Sequence, residues 1–178
     1  MKAHPDGLVI GIDPGKKGGI VALDLQGFPV EWLAADHPSD GYCRGKGRQG
    51  VYLVRDMAEW LRDRMEGGRV ALVVIETQQV RSAQAGGLTI GMGWGLWLGS
   101  VGTLGLPLER VNPQRWQRDL WGKRKPGADT KTASIDYVRT RVPDLPLKWK
   151  RRTNDHDGLS DAACLALWGL KQLARGAT

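Results

Sequence analysis

Four acidic residues stand where a folded chain would bring them together. Asp13 follows the short apolar run 8–12, Glu76 closes the β-branched run 70–75, and Asp157 and Asp161 sit four apart at the start of a long segment with an apolar stripe. Residues four apart share a helical face, so Asp157 and Asp161 point the same way. If strands one and four are neighbours and the last helix crosses them, all four carboxylates converge. Such a group of like charges is unfavourable unless it is protonated or bridged by cations, and all-oxygen ligands suit hard ions such as Mg²⁺ or Mn²⁺. Two ions about 4 Å apart, one activating water and one stabilising a leaving oxygen, hydrolyse phosphodiesters. Each residue also has a plainer role open to it. Asp13 lies in an Asp-Pro-x-Gly turn, Glu76 could be solvated at a strand end, and Asp157, Asp155 or Asn154 could cap the helix. His156 reads as a surface residue at a helix start, with handling of water beside the cluster as the alternative.

The elements that must position these groups are readable along the chain. Residues 8–12 and 20–23, separated by Asp-Pro-Gly and Lys-Lys-Gly-Gly, form a hairpin with Asp13 at the end of its first strand. Residues 28–35 add a third antiparallel strand, and the glycine-rich stretch 36–50 reads as a loop. Val54, Met57, Ala58, Leu61 and Met65 follow helical spacing over 51–65. The unbroken run 70–75 has the pattern of a strand covered on both faces. A glycine-rich helix follows, then a short strand over 108–111. Asn112-Pro113 supplies a cap and an N1 proline for a helix through Trp121. Helices over 129–142 and 155–173 complete an α/β fold with a mixed sheet.

Composition sets the frame. The chain has 178 residues, 41% apolar and 25% charged, which suits one globular domain and excludes a low-complexity fibre. A formal charge of +7 favours a polyanionic partner. Two cysteines, Cys43 and Cys164, are too few for a disulfide framework and lack zinc-site spacing, which fits a reducing cell interior, and no signal peptide opens the sequence. Residues 82–108 carry no charge, long enough for a membrane span, but eight of these 27 residues are glycine and polar side chains dilute the rest, so no membrane partner is expected. Gly87, Gly91, Gly95 and Gly99 recur every four residues on one helical face. At about 1 kcal/mol each relative to Ala, they should be offset by a close neighbour. The expected neighbour is the chain's own sheet, with a symmetry-related helix or a DNA backbone as the alternatives.

The strand-terminal GIDPG at 11–15 with its glycine hairpin, VVIETQ at 73–78 and HDGLSDAACLA at 156–166 resemble, in order and spacing, the RuvC family of Holliday junction resolvases. The likeness spans essentially the whole chain, and the glycine-rich helix and VNPQRW at 111–116 resemble the phage and chloroplast-type members. The resemblance implies an RNase H-like fold with a mixed five-stranded sheet flanked by helices, one nuclease domain over residues 1–178, and a cytoplasmic enzyme of a bacterium or its phage. It implies a homodimer that nicks opposed strands of four-way junction DNA by hydrolysis with two Mg²⁺ ions, for which Mn²⁺ can substitute. Asp13, Glu76 and Asp161 match the family's metal ligands, and Asp157 stands as the fourth. The bacterial pattern spaces the last two acids by three residues where this chain has four.

Nucleic-acid contacts are expected from Lys16, Lys17, Arg44, Lys46, Arg48, Lys123, Arg124, Lys125, Lys148, Lys150, Arg151 and Arg152, nearly all in loops, which would make binding steeply salt-dependent. Among eight tryptophans, Trp32, Trp60, Trp116 and Trp168 fall at core positions, and Trp149 in a basic loop is the one placed to stack on a base. Another RNase H-like nuclease, or a non-catalytic DNA-binding module, are the competing readings.

Overall fold

The computed structural model describes residues 7–45, 51–67, 70–78, 87–123, 129–149 and 152–176. Strands β1 (Leu8–Asp13), β2 (Gly19–Asp24) and β3 (Pro29–Ala34) form an antiparallel meander. A small pair, β4 (Cys43–Arg44) and β5 (Val51–Tyr52), leads into α1 (Val54–Gly67). Then come β6 (Val70–Glu76), α2 (Gly87–Thr103), β7 (Leu108–Val111), α3 (Pro113–Trp121), α4 (Thr130–Arg141) and α5 (Asp157–Gly176). The main sheet has the order β3-β2-β1-β6-β7, with β6 parallel to both β1 and β7. This is the expected mixed five-stranded sheet, and β1 and β6 are neighbours.

Period-two alternation divides the core into two layers. Ile10 and Ile12 of β1 and Val73 and Ile75 of β6 face α1 and α2, where Met57, Leu61, Trp97 and Val101 are buried. Val9 and Val74 face the other way, onto Leu159, Ala162, Ala166 and Trp168 of α5 and Trp116 of α3. Gly11, Asp13 and Glu76 have the same parity as this second layer. Both strand-terminal acids therefore point toward α5.

The closest helix–sheet approach lies between α5 and β1. A Cβ on Gly11 would stand 2.0 Å from the Ala162 carbonyl oxygen and 2.5 Å from the Ala166 nitrogen, and one on Gly169 would meet Val9 and Val74 at 2.7 and 2.8 Å. At its N-terminus α5 touches the hairpin main chain to main chain, through a bridge between Gly18 and Gly158.

Three expectations are corrected here. The stretch 36–50 is not wholly loop: Cys43 pairs with Tyr52 and Arg44 with Val51, so the segment at 51 starts as a strand and the helix begins at Val54. The glycine stripe of α2 is not packed on its own sheet. Among the described residues nothing lies within 4 Å of a Cβ built at Gly91, Gly95 or Gly99, whereas Gly93, off the stripe, would strike the Tyr52 hydroxyl and the Pro14 carbonyl at 2.2 and 2.5 Å. Finally, His156 starts a helix but is wholly buried rather than at the surface. Among the described residues no helix is long and apolar enough to cross a membrane.

Candidate active site

Parallel pairing of Ile12 with Ile75 sets Asp13 and Glu76 next to each other at the carboxyl ends of β1 and β6. Asp157 is the first helical residue of α5 and Asp161 lies one turn further in. The close contact at Gly11 and the bridge at Gly158 fix this turn over the end of β1. The N-terminus of α3 follows β7 at the same end of the sheet, and α4 begins beside Asp157. The N-terminus of α5, which carries Asp157 in its first turn, offsets part of the repulsion among the acids through its helix dipole.

The electrostatics show that the four expected carboxylates share one field. Asp13 is raised from 3.8 to about 7 by desolvation and then by the charges of Glu76 and Asp157, against a hydrogen bond from the Gly15 amide. Glu76 is raised to about 7 by desolvation, opposed by a hydrogen bond from Trp116, with Asp161 adding repulsion. Asp161 is likewise raised to about 7, by desolvation and the Asp13 charge. Asp157 differs. Burial pushes it up, but the Lys131 ammonium at 2.6 Å outweighs this and holds it below the ordinary carboxylate range. Among the described residues, no three acidic, histidine or cysteine groups form a ready-made shell around one ion. What the site offers is an all-oxygen donor set with excess negative charge, and this chemistry fits a hard divalent cation.

The main chain around Asp13 is clamped from the α2 side. Tyr42 donates its hydroxyl toward the carbonyls of Asp13 (3.3 Å) and Gly15 (3.5 Å), and Tyr52 toward those of Pro14 (3.4 Å) and Thr89 (3.5 Å). On the β6 side, the Thr77 amide donates to the Val111 carbonyl at 2.8 Å, and the Trp116 indole N–H donates to Glu76 Oε2 at 2.8 Å. The Gln78 amide reaches Glu76 Oε1 at 3.4 Å.

His156 does not face the acids as a group free to handle water. Its Nδ1 accepts the Leu159 amide at 2.9 Å and its Nε2 meets Asp36 Oδ1 at 2.9 Å, so the ring caps α5 with both nitrogens engaged. Trp149 is packed as well: it stacks with Trp32 at 6.3 Å, contacts His37 and His156, and lies under the Arg152 guanidinium at 4.8 Å. Its ring is therefore a packing element of this loop rather than an open platform for a base.

Of the expected nucleic-acid contacts, Lys16 and Lys17 occupy the turn directly after Asp13, Arg44 is exposed on β4, and Lys123 is exposed beyond the far end of α3. Lys148 lies 3.7 Å from Asp155, and Arg152 is 3.5 Å from Asp36 and three-quarters buried, which makes it a loop staple. Lys46, Arg48, Arg124, Lys125, Lys150 and Arg151 lie outside the described residues. Sequence reasoning missed Lys131, Trp116 as a partner of Glu76, and the two tyrosines. Lys131 left one signal: a lysine in a first helical turn opposes the helix dipole.

No family model matches the chain, and no curated protein matches it in sequence. Among solved structures it is similar to Thermus thermophilus RuvC, with a TM-score of 0.55 and 19% identity over 95% of this chain and 96% of that one. It is also similar to T. thermophilus RuvC in complex with Holliday junction substrate, with a TM-score of 0.62 and 16% identity over the same shares of the two chains. The yeast mitochondrial Holliday junction resolvase Ydc2 gives a TM-score of 0.57 and 16% identity over 98% of this chain and 82% of that one. The fold is thus RNase H-like, of the kind found in RuvC and Ydc2.

Proposed function

We propose that the chain is one nuclease domain that resolves four-way DNA junctions by paired, metal-dependent phosphodiester hydrolysis, leaving 5′-phosphates at the nicks. The observation that carries this reading is the convergence of Asp13 and Glu76, at the neighbouring carboxyl ends of β1 and β6, with Asp157 and Asp161 on the first turns of α5 packed over them. A site that only bound phosphates would gain by losing these charges. Asp13, Glu76, Asp161 and Asp157 would hold two Mg²⁺ ions, with Mn²⁺ as a substitute, and the bound ions would supply an activated water and charge stabilisation at the leaving 3′ oxygen. Lys131 keeps Asp157 ionised, and Lys16 and Lys17 offer phosphate contacts one turn from Asp13.

The active form would be a homodimer acting on opposed strands of DNA in the cell interior. The support is α2, whose glycine stripe is open and whose Leu88 and Met92 are exposed at 87% and 47%. A helix that carries the cost of Gly91, Gly95 and Gly99 with no close neighbour among the described residues is suited to a second copy.

The test is a synthetic four-way junction with each strand labelled in turn, incubated with Mg²⁺ or with chelator, beside flaps and RNA–DNA hybrids. Symmetric Mg²⁺-dependent nicks in opposed strands of the junction are expected. Preferential cutting of hybrids or flaps, or no cutting with any divalent ion, refutes the assignment.

A further inference from the structure

Trp116 is wholly buried, and its indole N–H ends on a carboxylate oxygen of the proposed site. The path that puts it there is short. The end of β6 is tied to the end of β7 by the Thr77 amide on the Val111 carbonyl at 2.8 Å. One residue later Asn112 caps α3, accepting the Arg115 amide at 2.8 Å on its side chain, with Pro113 fixing the first turn. Trp116 then projects back over Glu76. Its ring is braced edge-on by Trp121 at 5.0 Å, and Trp121 in turn meets Tyr137 of α4 at 6.4 Å.

Trp168 makes the same kind of bond, its indole N–H donating to Asp119 Oδ2 at 3.0 Å, whereas the buried indole N–H groups of Trp94 and Trp97 have no hydrogen-bond partner among the described residues, so a tryptophan here is tolerated without an acceptor. Among the described residues Oε2 accepts the short bond from Trp116 and Oε1 the longer one from the Gln78 amide at 3.4 Å, so the Trp116 bond is the firmer restraint on the Glu76 carboxylate. We infer that Trp116 is a positioning residue of the active site, holding Glu76 by Oε2 and so fixing the orientation in which the carboxylate would be presented to a divalent cation. The inference rests on the proposed metal-dependent reading and adds to it the group that orients one ligand. Partners of this kind, one shell out from the ion, change metal affinity or activity by about 10–100-fold when lost.

The experiment uses the full chain uniformly labelled with ¹⁵N, Trp116→Phe assigning the Trp116 indole signal by its disappearance. In chelator that signal should lie downfield and move back toward the free-indole position in Glu76→Ala. In the wild type it should shift saturably as Mg²⁺ is added, in step with the Gly15 amide beside Asp13. In Trp116→Phe, the Mg²⁺ concentration for half-maximal junction cleavage should rise about tenfold, while junction affinity in chelator changes less than twofold. An indole signal indifferent to Glu76→Ala, or a half-saturating Mg²⁺ concentration unchanged in Trp116→Phe, overturns the inference. If Trp116→Phe does not fold, the signal is identified by elimination among the other tryptophan variants, and the Glu76→Ala and Mg²⁺ arms still decide. A Gly15 amide that responds to Mg²⁺ while Trp116 stays silent overturns the positioning role alone. Silence of both overturns the metal-site reading and this inference with it.

Discussion

Asp13→Asn should make the metal-free protein more stable at pH 8, although the residue is proposed as a catalytic group. The folded chain holds the Asp13 proton up to about pH 7, whereas an unfolded chain releases it near 3.8. Between those values the native state binds more protons than the unfolded state, so raising the pH costs native stability, and above about pH 7 the loss is complete. At 1.36 kcal/mol per tenfold change, the ceiling is about 4 kcal/mol. Glu76 and Asp161 carry part of the same repulsion, so the three titrate as a coupled set and about 2 kcal/mol is the working value. For a chain of this length that is about 4–8 °C in Tm. The substitution keeps an oxygen for the Gly15 amide, so it removes charge and little else. The assay is Tm against pH in chelator for both proteins. The two should coincide near pH 4, diverge up to about pH 7 and run parallel above it, and Mg²⁺ should raise the wild type but not the variant. A variant equal to or less stable than wild type at pH 8 in chelator refutes the account of a repulsive, desolvated cluster.

Other expectations follow from the same geometry. Asp161→Asn should abolish junction cleavage while a gel-shift titration in chelator changes Kd less than twofold, since only one carboxylate charge is lost and the basic side chains expected to hold the DNA backbone are kept. Gly11→Ala forces a Cβ into the main chain of α5, so it should cost about 3 kcal/mol, read as a loss of about 6–12 °C in Tm. Gly95→Ala, with open space around it, should stabilise an isolated protomer by about 1 kcal/mol through helix propensity, and by sedimentation should weaken a dimer built on that face. Lys131→Met leaves Asp157 desolvated without its partner, and the carboxyl ¹³C titration of Asp157 should move up from below the ordinary carboxylate range.

Much of this was legible in the residues because the relevant physics is local. The short apolar run 8–12 and the unbroken β-branched run at 70–75 define β1 and β6, and Asn112-Pro113 marks the start of α3 to the residue. The ends of these elements carry the acids, so Asp13, Glu76 and Asp161 are found by asking what stands at a strand end or one turn into a helix. The glycine argument was sound in principle and misdirected in place. A period of four in α2 advertises a smooth face but says nothing of what meets it, while Gly11 and Gly169, isolated in a strand and a long helix, are the ones pressed against other atoms. The pair β4–β5 is two residues per strand, too short for any period to register. The partners of His156 and Asp157, namely Asp36 and Lys131, lie 120 and 26 positions away and come into reach only through the sheet and the α4–α5 packing.

The backbone contact of α5 with β1 has a consequence for how the protein can change over time. Because no side chain stands between Gly11 and the Ala162 carbonyl, the height of the Asp161 turn above Asp13 is gauged by main-chain atoms alone. Substitutions that enlarge or shrink Ile10, Val73 or Met57 act on the opposite layer of the sheet, where they alter stability without resetting that gauge. The proposed site is thereby insulated from drift at those positions, while Tyr42 and Tyr52 of the same layer, which hold the main chain at Asp13, are the ones that cannot change freely.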